Sequence, residues 1–375
     1  MDELFLTDEV NKEEAEPYTD ESLYNITSYG TDMMLGQIAD MFNTGEIEKP
    51  DMQRNYVWTK PMASRFIDSI LLGLPVPSIF LAKDKNNRLL IVDGLQRIVT
   101  ISDYIKGKFS KDGSAFRLSN TDSITDKWRG MSFEELPDNL KRAIRIYPLH
   151  AIVFEQKKPS DDSGMYQIFE RINTGGQILK PQEIRNSVYH GPFNDFIKEL
   201  NEERVWREVL GTDKPDSRMA DDELILRFFA FLDFRNRKEA KQKQINLAQY
   251  LNNYMHDHVN IDKAERQQFK KTFLEIITYL KSHVGEHLFR TIRQKGTETD
   301  GWTKTVNPVI FDAVCTATYY AEKEGRLMGQ SLEKRYTELV TSKDFDEVTC
   351  QQTTNVDRIK QRSAIAEKIL YDIEI

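Results

Sequence analysis

The richest chemistry in this sequence sits in one pentapeptide, Asp93-Gly94-Leu95-Gln96-Arg97, which offers a carboxylate, a glycine, an amide and a guanidinium side by side. Leu89, Leu90, Ile91 and Val92 precede it as a short branched apolar run, the pattern of a buried strand. Ile98, Ile101 and Ile105 follow it at helical spacing. The pentapeptide is therefore the turn between a strand and a helix. A helix start carries unpaired N–H groups and a partial positive charge, which suits it to phosphate. Gly94 admits close approach to the backbone, and Gln96 and Arg97 add donors in the first turn. The same residues also read as an Asp N-cap followed by a surface arginine, and the pentapeptide alone leaves both readings open.

Two other stretches carry polar groups at places where chains turn. In residues 49–60, Gln53 and Arg54 bring donors beside the aromatic anchors Tyr56 and Trp58; packing aromatics and a solvated arginine are the alternative. In residues 166–186, Met165, Ile168, Phe169 and Ile172 form one helix face, ended by Asn173-Thr174-Gly175-Gly176. Pro181 then opens a further helix with Glu183 in its first turn. The Gly-Gly turn is either a plain helix end or an anion nest of successive N–H groups flanked by Arg171, Asn173 and Arg185. No Gly-Lys-Ser/Thr follows, so it is not a Walker A loop.

The elements that must position these residues can be read from periodicity. Order is expected to begin near residues 24–31, and Leu35, Ile38 and Met41 make a helical stripe. A helix covers 61–73, ended by Gly73 and Pro75, and strands at 78–83 and 89–92 form a hairpin. Residues 107–129 read as a loop with a short strand pair. Ser132 and Glu135 predict a capping box for a helix over 133–146, and 150–154 is a strand. From about residue 192 the pattern is helical, over 193–200, 221–234, 245–256, 263–283, 306–324, 331–341 and 354–371. Basic clusters at 235–243 and 290–295 are solvated helix edges or DNA contacts.

Composition narrows the classes. With 375 residues, 39% hydrophobic and 30% charged, and 20 Phe, 15 Tyr and 4 Trp, the chain has ample material for two globular domains. Its net charge of −8 excludes a uniformly basic nucleic-acid coat, though not a local basic groove. The two cysteines, Cys315 and Cys350, make neither a disulfide framework nor a zinc spacing, and both read as buried thiols. Residues 1–23 read as an acidic, disordered arm; no signal peptide or spanning segment is visible, and a cytoplasmic protein is expected. His283-Val284-Gly285-Glu286-His287 imitates a zinc-peptidase signature, but Gly285 weakens the helix that must align the histidines. No Ser-His-Asp or Cys-His arrangement stands out.

Four blocks, QRNYVW at 53–58, SILLGLPVP at 69–77, VDGLQR at 92–97 and FERINTGG at 169–176, occur in an order and spacing that resembles the DGQQR-motif family. This is the N-terminal domain type of GmrS/GmrD-like modification-dependent restriction systems, similar to the ParB/sulfiredoxin fold. The resemblance covers about residues 30–190. It implies an α+β chain: an acidic arm at 1–23, a small mixed-sheet nucleotide-binding domain at 24–190, and an all-α domain at 191–375. It also implies phosphate binding and NTP hydrolysis in phage defence, with Mg²⁺ and a nucleoside triphosphate as cofactors. Asp93, Gly94, Gln96 and Arg97 match the loop, Gln53 and Arg54 the upstream pair, and Arg171, Asn173 and Gly176 the second block. Within that frame Arg97 and Arg54 neutralise phosphate charge, Asp93 caps the helix or holds Mg²⁺, and Gln96 or Gln53 orients a water. Leu95 stands where the family has its first Gln, which bears on hydrolysis more than on binding. No HNH nuclease constellation is legible. The implied partners are nucleotide, DNA and a separately encoded effector or nuclease subunit, with no membrane. Two rival readings remain: a non-hydrolysing nucleotide or DNA sensor, and a ParB-like nuclease with Asp68 or Glu170 joining Asp93.

Overall fold

The structure, a computed structural model, describes residues 25–49, 56–83, 87–157, 163–172, 180–295, 298–327 and 331–374. The expected arm at 1–23, the Gln53-Arg54 pair, and Asn173 and Gly176 lie outside these residues. Two compact units emerge, one within Asp20–Leu179 joined by Asn186–Val188, the other from Lys180–Arg185 and Tyr189–Ile375.

The first unit is built on a mixed sheet ordered β1-β5-β3-β4-β2, with β1 (Ile26–Met34), β2 (Ile47–Glu48), β3 (Ile79–Lys83), β4 (Leu89–Asp93) and β5 (Pro148–Gln156). β1 runs antiparallel to β5, β5 parallel to β3, β3 antiparallel to β4, and β4 parallel to β2. Helices α1 (Leu35–Thr44), α2 (Lys60–Leu71), α3 (Leu95–Lys106), α4 (Asp138–Ile146) and α5 (Ser163–Ile172) complete the unit. Each of the first three buries an apolar stripe: Leu35, Ile38 and Ala39 of α1, Ala63, Phe66, Ile67 and Ile70 of α2, and Ile98, Ile101 and Tyr104 of α3. These meet Ile79, Leu81 and Ile91 of the sheet in one core.

The β3–β4 hairpin, α2 and the strand-to-helix turn follow the sequence pattern. Two elements depart from it. The helix expected over 133–146 starts at Asp138, because Pro137 has no N–H to give and its ring disfavours a helical Leu136. Of the capping box only the bond from Ser132 N–H to Glu135 Oε2 (2.9 Å) forms, and it closes a turn instead. β1 carried no strand signature, since only Met33 of its nine residues is buried.

The second unit is helical: α6 (Pro181–Val188, shared between the units), α7 (Pro192–Asn201), α8 (Arg204–Leu210), α9 (Ala220–Leu232), α10 (Leu247–His258), α11 (Lys263–Val284), α12 (Pro308–Lys323), α13 (Leu332–Thr341), α14 (Lys343–Thr349) and α15 (Val356–Tyr371). It also carries a two-stranded antiparallel ribbon, β6 (Ile292–Lys295) with β7 (Glu298–Trp302). Its core is aromatic: Phe273 sits edge to face with Trp206 and Phe228, and Phe311 packs tilted against both. Cys315 is buried as expected, but Cys350 is exposed, its Sγ 2.9 Å from Asp346 Oδ1. The zinc-like signature is broken at Gly285, whose φ of +83° ends α11 between the histidines. His283 bonds Tyr279 O at 2.8 Å, while His287 stacks on Trp302 at 4.5 Å. The basic clusters are partly consumed inside the unit: Arg235 pairs with Glu367, Arg237 covers Tyr254, and Arg290 donates to Val209 O at 3.1 Å. No described helix is long and apolar enough to cross a membrane.

Candidate functional site

The junction from β4 into α3 is made by Gly94, which has φ +101° and acts as the helix N-cap. A Cβ there would lie 2.5 Å from Ile79 Cγ2, so the left-handed turn and the close passage of β3 both demand glycine. Gly94 thus lets Ile79 into the core as well as freeing the backbone. Leu95, the residue that differs from the motif, is only 6% exposed and packs in that core. Its side chain takes nothing from the polar surface of the turn.

Asp93 and Arg97 form one unit. Arg97 Nη2 donates to Asp93 Oδ2 at 2.8 Å and to Ser78 O at 2.9 Å. The guanidinium is 15% exposed and the carboxylate 48%. The alternative of an Asp N-cap with a surface arginine fails on both counts: no side chain caps α3, and Arg97 is largely enclosed. Asp93 is held back by Arg97 instead. The first turn of α3 holds no acidic residue, so the N–H groups there face no anion of their own helix. Arg97 Nε is buried without a hydrogen-bond partner among the described residues.

Gln96 does something the sequence did not suggest. Its Oε1 accepts from the backbone N–H groups of Val57 (2.9 Å) and Trp58 (3.0 Å). One turn on, Thr100 Oγ1 lies 2.6 Å from the Tyr56 hydroxyl, and burial pushes that phenol up to about 12. Lys111 Nζ holds Val57 O at 2.8 Å, and Trp58 and Tyr56 set their rings against Phe66 and Phe109. A strap, Tyr56–Trp58, is tied to α3 and begins two residues after Arg54 in sequence. The bonds from Val57 and Trp58 commit Gln96 Oε1 to this strap. The i, i+4 spacing of Gln96 and Thr100 was the available signal for a shared helix face.

Of the second-block residues that flank the Gly-Gly turn in sequence, Arg171 and Arg185 are described. Arg171 is exposed on α5. Arg185 is 1% exposed and belongs to the second unit. There it donates to Asn252 Oδ1 (2.9 Å), Gln182 Oε1 (3.0 Å) and Glu223 Oε2 (2.8 Å). Asp68 is engaged by a loop. Its Oδ1 accepts from Thr125 N–H (3.0 Å) and Trp128 Nε1 (2.7 Å), which fastens the 119–131 loop to α2. Among the described residues, no group of three or more His, Cys, Asp or Glu is placed to hold a metal ion.

A strand-to-helix turn with a left-handed glycine, a half-exposed Asp paired with an enclosed Arg, and a strapped amide thus lies within a small α+β domain. Residues 36–190 match the family described as GmrSD restriction endonuclease, N-terminal domain. That stretch is similar to the family, and the Asp93–Arg97 junction lies inside it. No curated protein and no solved structure matches the chain.

Proposed function

We propose that the chain is a nucleotide-binding component of a DNA restriction, phage-defence system, with phosphates seated at the start of α3. The observation that carries this reading is the uncapped, acid-free first turn of α3 beside Arg97, within a GmrSD-type domain. An incoming phosphate competes with Asp93 for Arg97, and each proton-free phosphate oxygen gains the N–H groups of the turn. Gln53, Arg54, Arg171, Asn173 and Gly176 are the further binding residues that the family blocks assign.

Mg²⁺ is bound by one or two carboxylates together with phosphate oxygens. The half-exposed Asp93, with one oxygen on Arg97, fits such an ion only in the company of a nucleotide. Bound there, the ion would draw charge off the phosphates. The chain's own contribution is to hold the phosphates on α3, to shield them with Arg97, and to keep the strap in register through Gln96. A non-hydrolysing sensor that works with a separate effector is the second reading; it rests on the commitment of Gln96 Oε1 to the strap.

Phosphate release from each of the four NTPs with Mg²⁺, with and without duplex DNA, tests both readings in wild type and Arg97→Ala. Turnover that Arg97→Ala lowers by about tenfold or more, the scale of a lost charge-assisted contact, assigns hydrolysis to this turn. Calorimetric binding without turnover, abolished by Arg97→Ala, assigns the sensor. Neither binding nor turnover ends the nucleotide reading.

A further inference from the structure

The two edges of the sheet are treated differently. β2, at one edge, is two residues long, too short to recruit another strand. β1, at the other edge, is nine residues long and pairs without a bulge from Ile26↔Gln156 to Met34↔Pro148. It contains no proline, lysine or arginine, the usual guards of a free edge. Among the described residues no strand lies along its outer side.

The ladder fixes which groups face outward. Lys157 N–H donates to Asn25 O and Leu35 N–H to Tyr147 O, so the odd-numbered residues of β1 form the hydrogen-bonded pairs with β5. The N–H and C=O groups of Ile26, Ser28, Gly30 and Asp32 therefore point away from the sheet. Gly30 is also a place of close approach, since a Cβ there would meet His150 Cε1 at 2.8 Å, and His150 is held over it by Asp32 at 2.8 Å.

We infer that β1 is an assembly edge whose occupant is β1 of a second copy, paired antiparallel about a two-fold axis at Gly30. The strand is self-complementary in that register. Every outward-facing residue meets an outward-facing one: Gly30 meets Gly30, and Ser28 meets Asp32. Tyr29 falls opposite Thr31, and Thr27 opposite Met33, a set of aromatic–β-branched and apolar pairs that stabilise antiparallel ladders. No charge meets its own kind, because Asp32 is the strand's single charge and lies off the axis. The result is one continuous sheet through two copies. β1 precedes the stretch that matches the GmrSD-type domain, and the inference does not rest on nucleotide binding.

Sedimentation of the full chain over a concentration series tests it, with circular dichroism to check folding. The wild type is expected to show a monomer–dimer equilibrium. Ser28→Pro removes an outward N–H and no β5 bond, so a folded monomer is expected. Ser28→Asp sets a carboxylate opposite Asp32 and weakens the dimer, while Ser28→Lys at the same position tightens it. Each shifts the dissociation constant by roughly threefold per pair, in opposite directions. A wild type that stays monomeric throughout overturns the inference. So does a dimer that is indifferent to a folded Ser28→Pro, or one that responds alike to Asp and Lys at 28; the last two variants decide the matter if the proline variant does not fold.

Discussion

Two helix starts in this molecule look alike in sequence and behave oppositely. α3 begins after Asp93-Gly94, and α9 begins with Ala220-Asp221-Asp222. Both have a left-handed residue at the N-cap, Gly94 at φ +101° and Met219 at φ +58°. α9 carries three acids in its first turn, and Asp221 and Asp222 are buried. Arg207 holds Asp221 through two 2.9 Å bonds, and Asn201 donates to Asp222 at 2.9 Å while accepting from Trp206 and Arg207. That helix start has its acids built in, and they knit α7, α8 and α9 together. The start of α3 has none, and its nearest carboxylate is turned to Arg97. An acidic residue at a helix start is thus structure in one place and leaves a vacancy for charge in the other; the partner arginine decides which.

The comparison can be broken first at Arg207. Arg207→Ala leaves Asp221 buried without its cation and is expected to cost about 3–5 kcal/mol in urea unfolding. Arg97→Ala, beside a half-exposed carboxylate, should cost no more than about 1 kcal/mol while removing nucleotide binding. Equal losses of stability from the two would erase the distinction.

Asp222 gives a sharper handle. Burial, and then the charge of Asp221, raise its carboxyl from 3.8 to about 7. The native state therefore holds a proton that the unfolded chain releases near pH 4, so this group's contribution falls as pH climbs from about 4 to about 7 and is flat beyond. Asp222→Asn should abolish that slope, so the wild-type-minus-variant difference in unfolding free energy should fall by at most about 4 kcal/mol between pH 4 and pH 7 and stay level above. A difference independent of pH would mean that Asp222 is charged throughout.

The smallest effect is expected at Gln96. Gln96→Ala orphans the N–H groups of Val57 and Trp58, one of them exposed, at roughly 1–2 kcal/mol. Its nucleotide affinity should fall by less than that of Arg97→Ala, because the strap positions and does not itself neutralise phosphate. Affinity lost in full would move Gln96 into direct contact with the nucleotide.

How much of this was legible beforehand depends on how local the cause is. β4, the turn and α3 were readable because the apolar period changes from a run to a helix within a few residues. Gly94 was recognisable as a special position, but Ile79 as its reason was not, since the contact joins residues fifteen apart by way of a strand pairing. The strap across α3 was likewise invisible: it links Gln96 and Thr100 to Tyr56–Trp58 through long-range bonds that no spacing encodes. α8 and α14, at seven residues each, are too short for a periodic stripe to register. The burial of Asp221 and Asp222 depends on Arg207 and Asn201 arriving from other helices, which the sequence of α9 alone does not encode.

The tie between Gln96 and Trp58 also has an optical consequence. Of the four tryptophans, Trp58 alone hangs from α3 by its main chain, with its indole edge-on to Phe66 at 5.5 Å. Trp128 is anchored to Asp68, and Trp206 and Trp302 lie in the other unit. Whatever displaces the first turn of α3 must drag this one indole with it, so the protein's own ultraviolet emission is a built-in gauge of events at the turn.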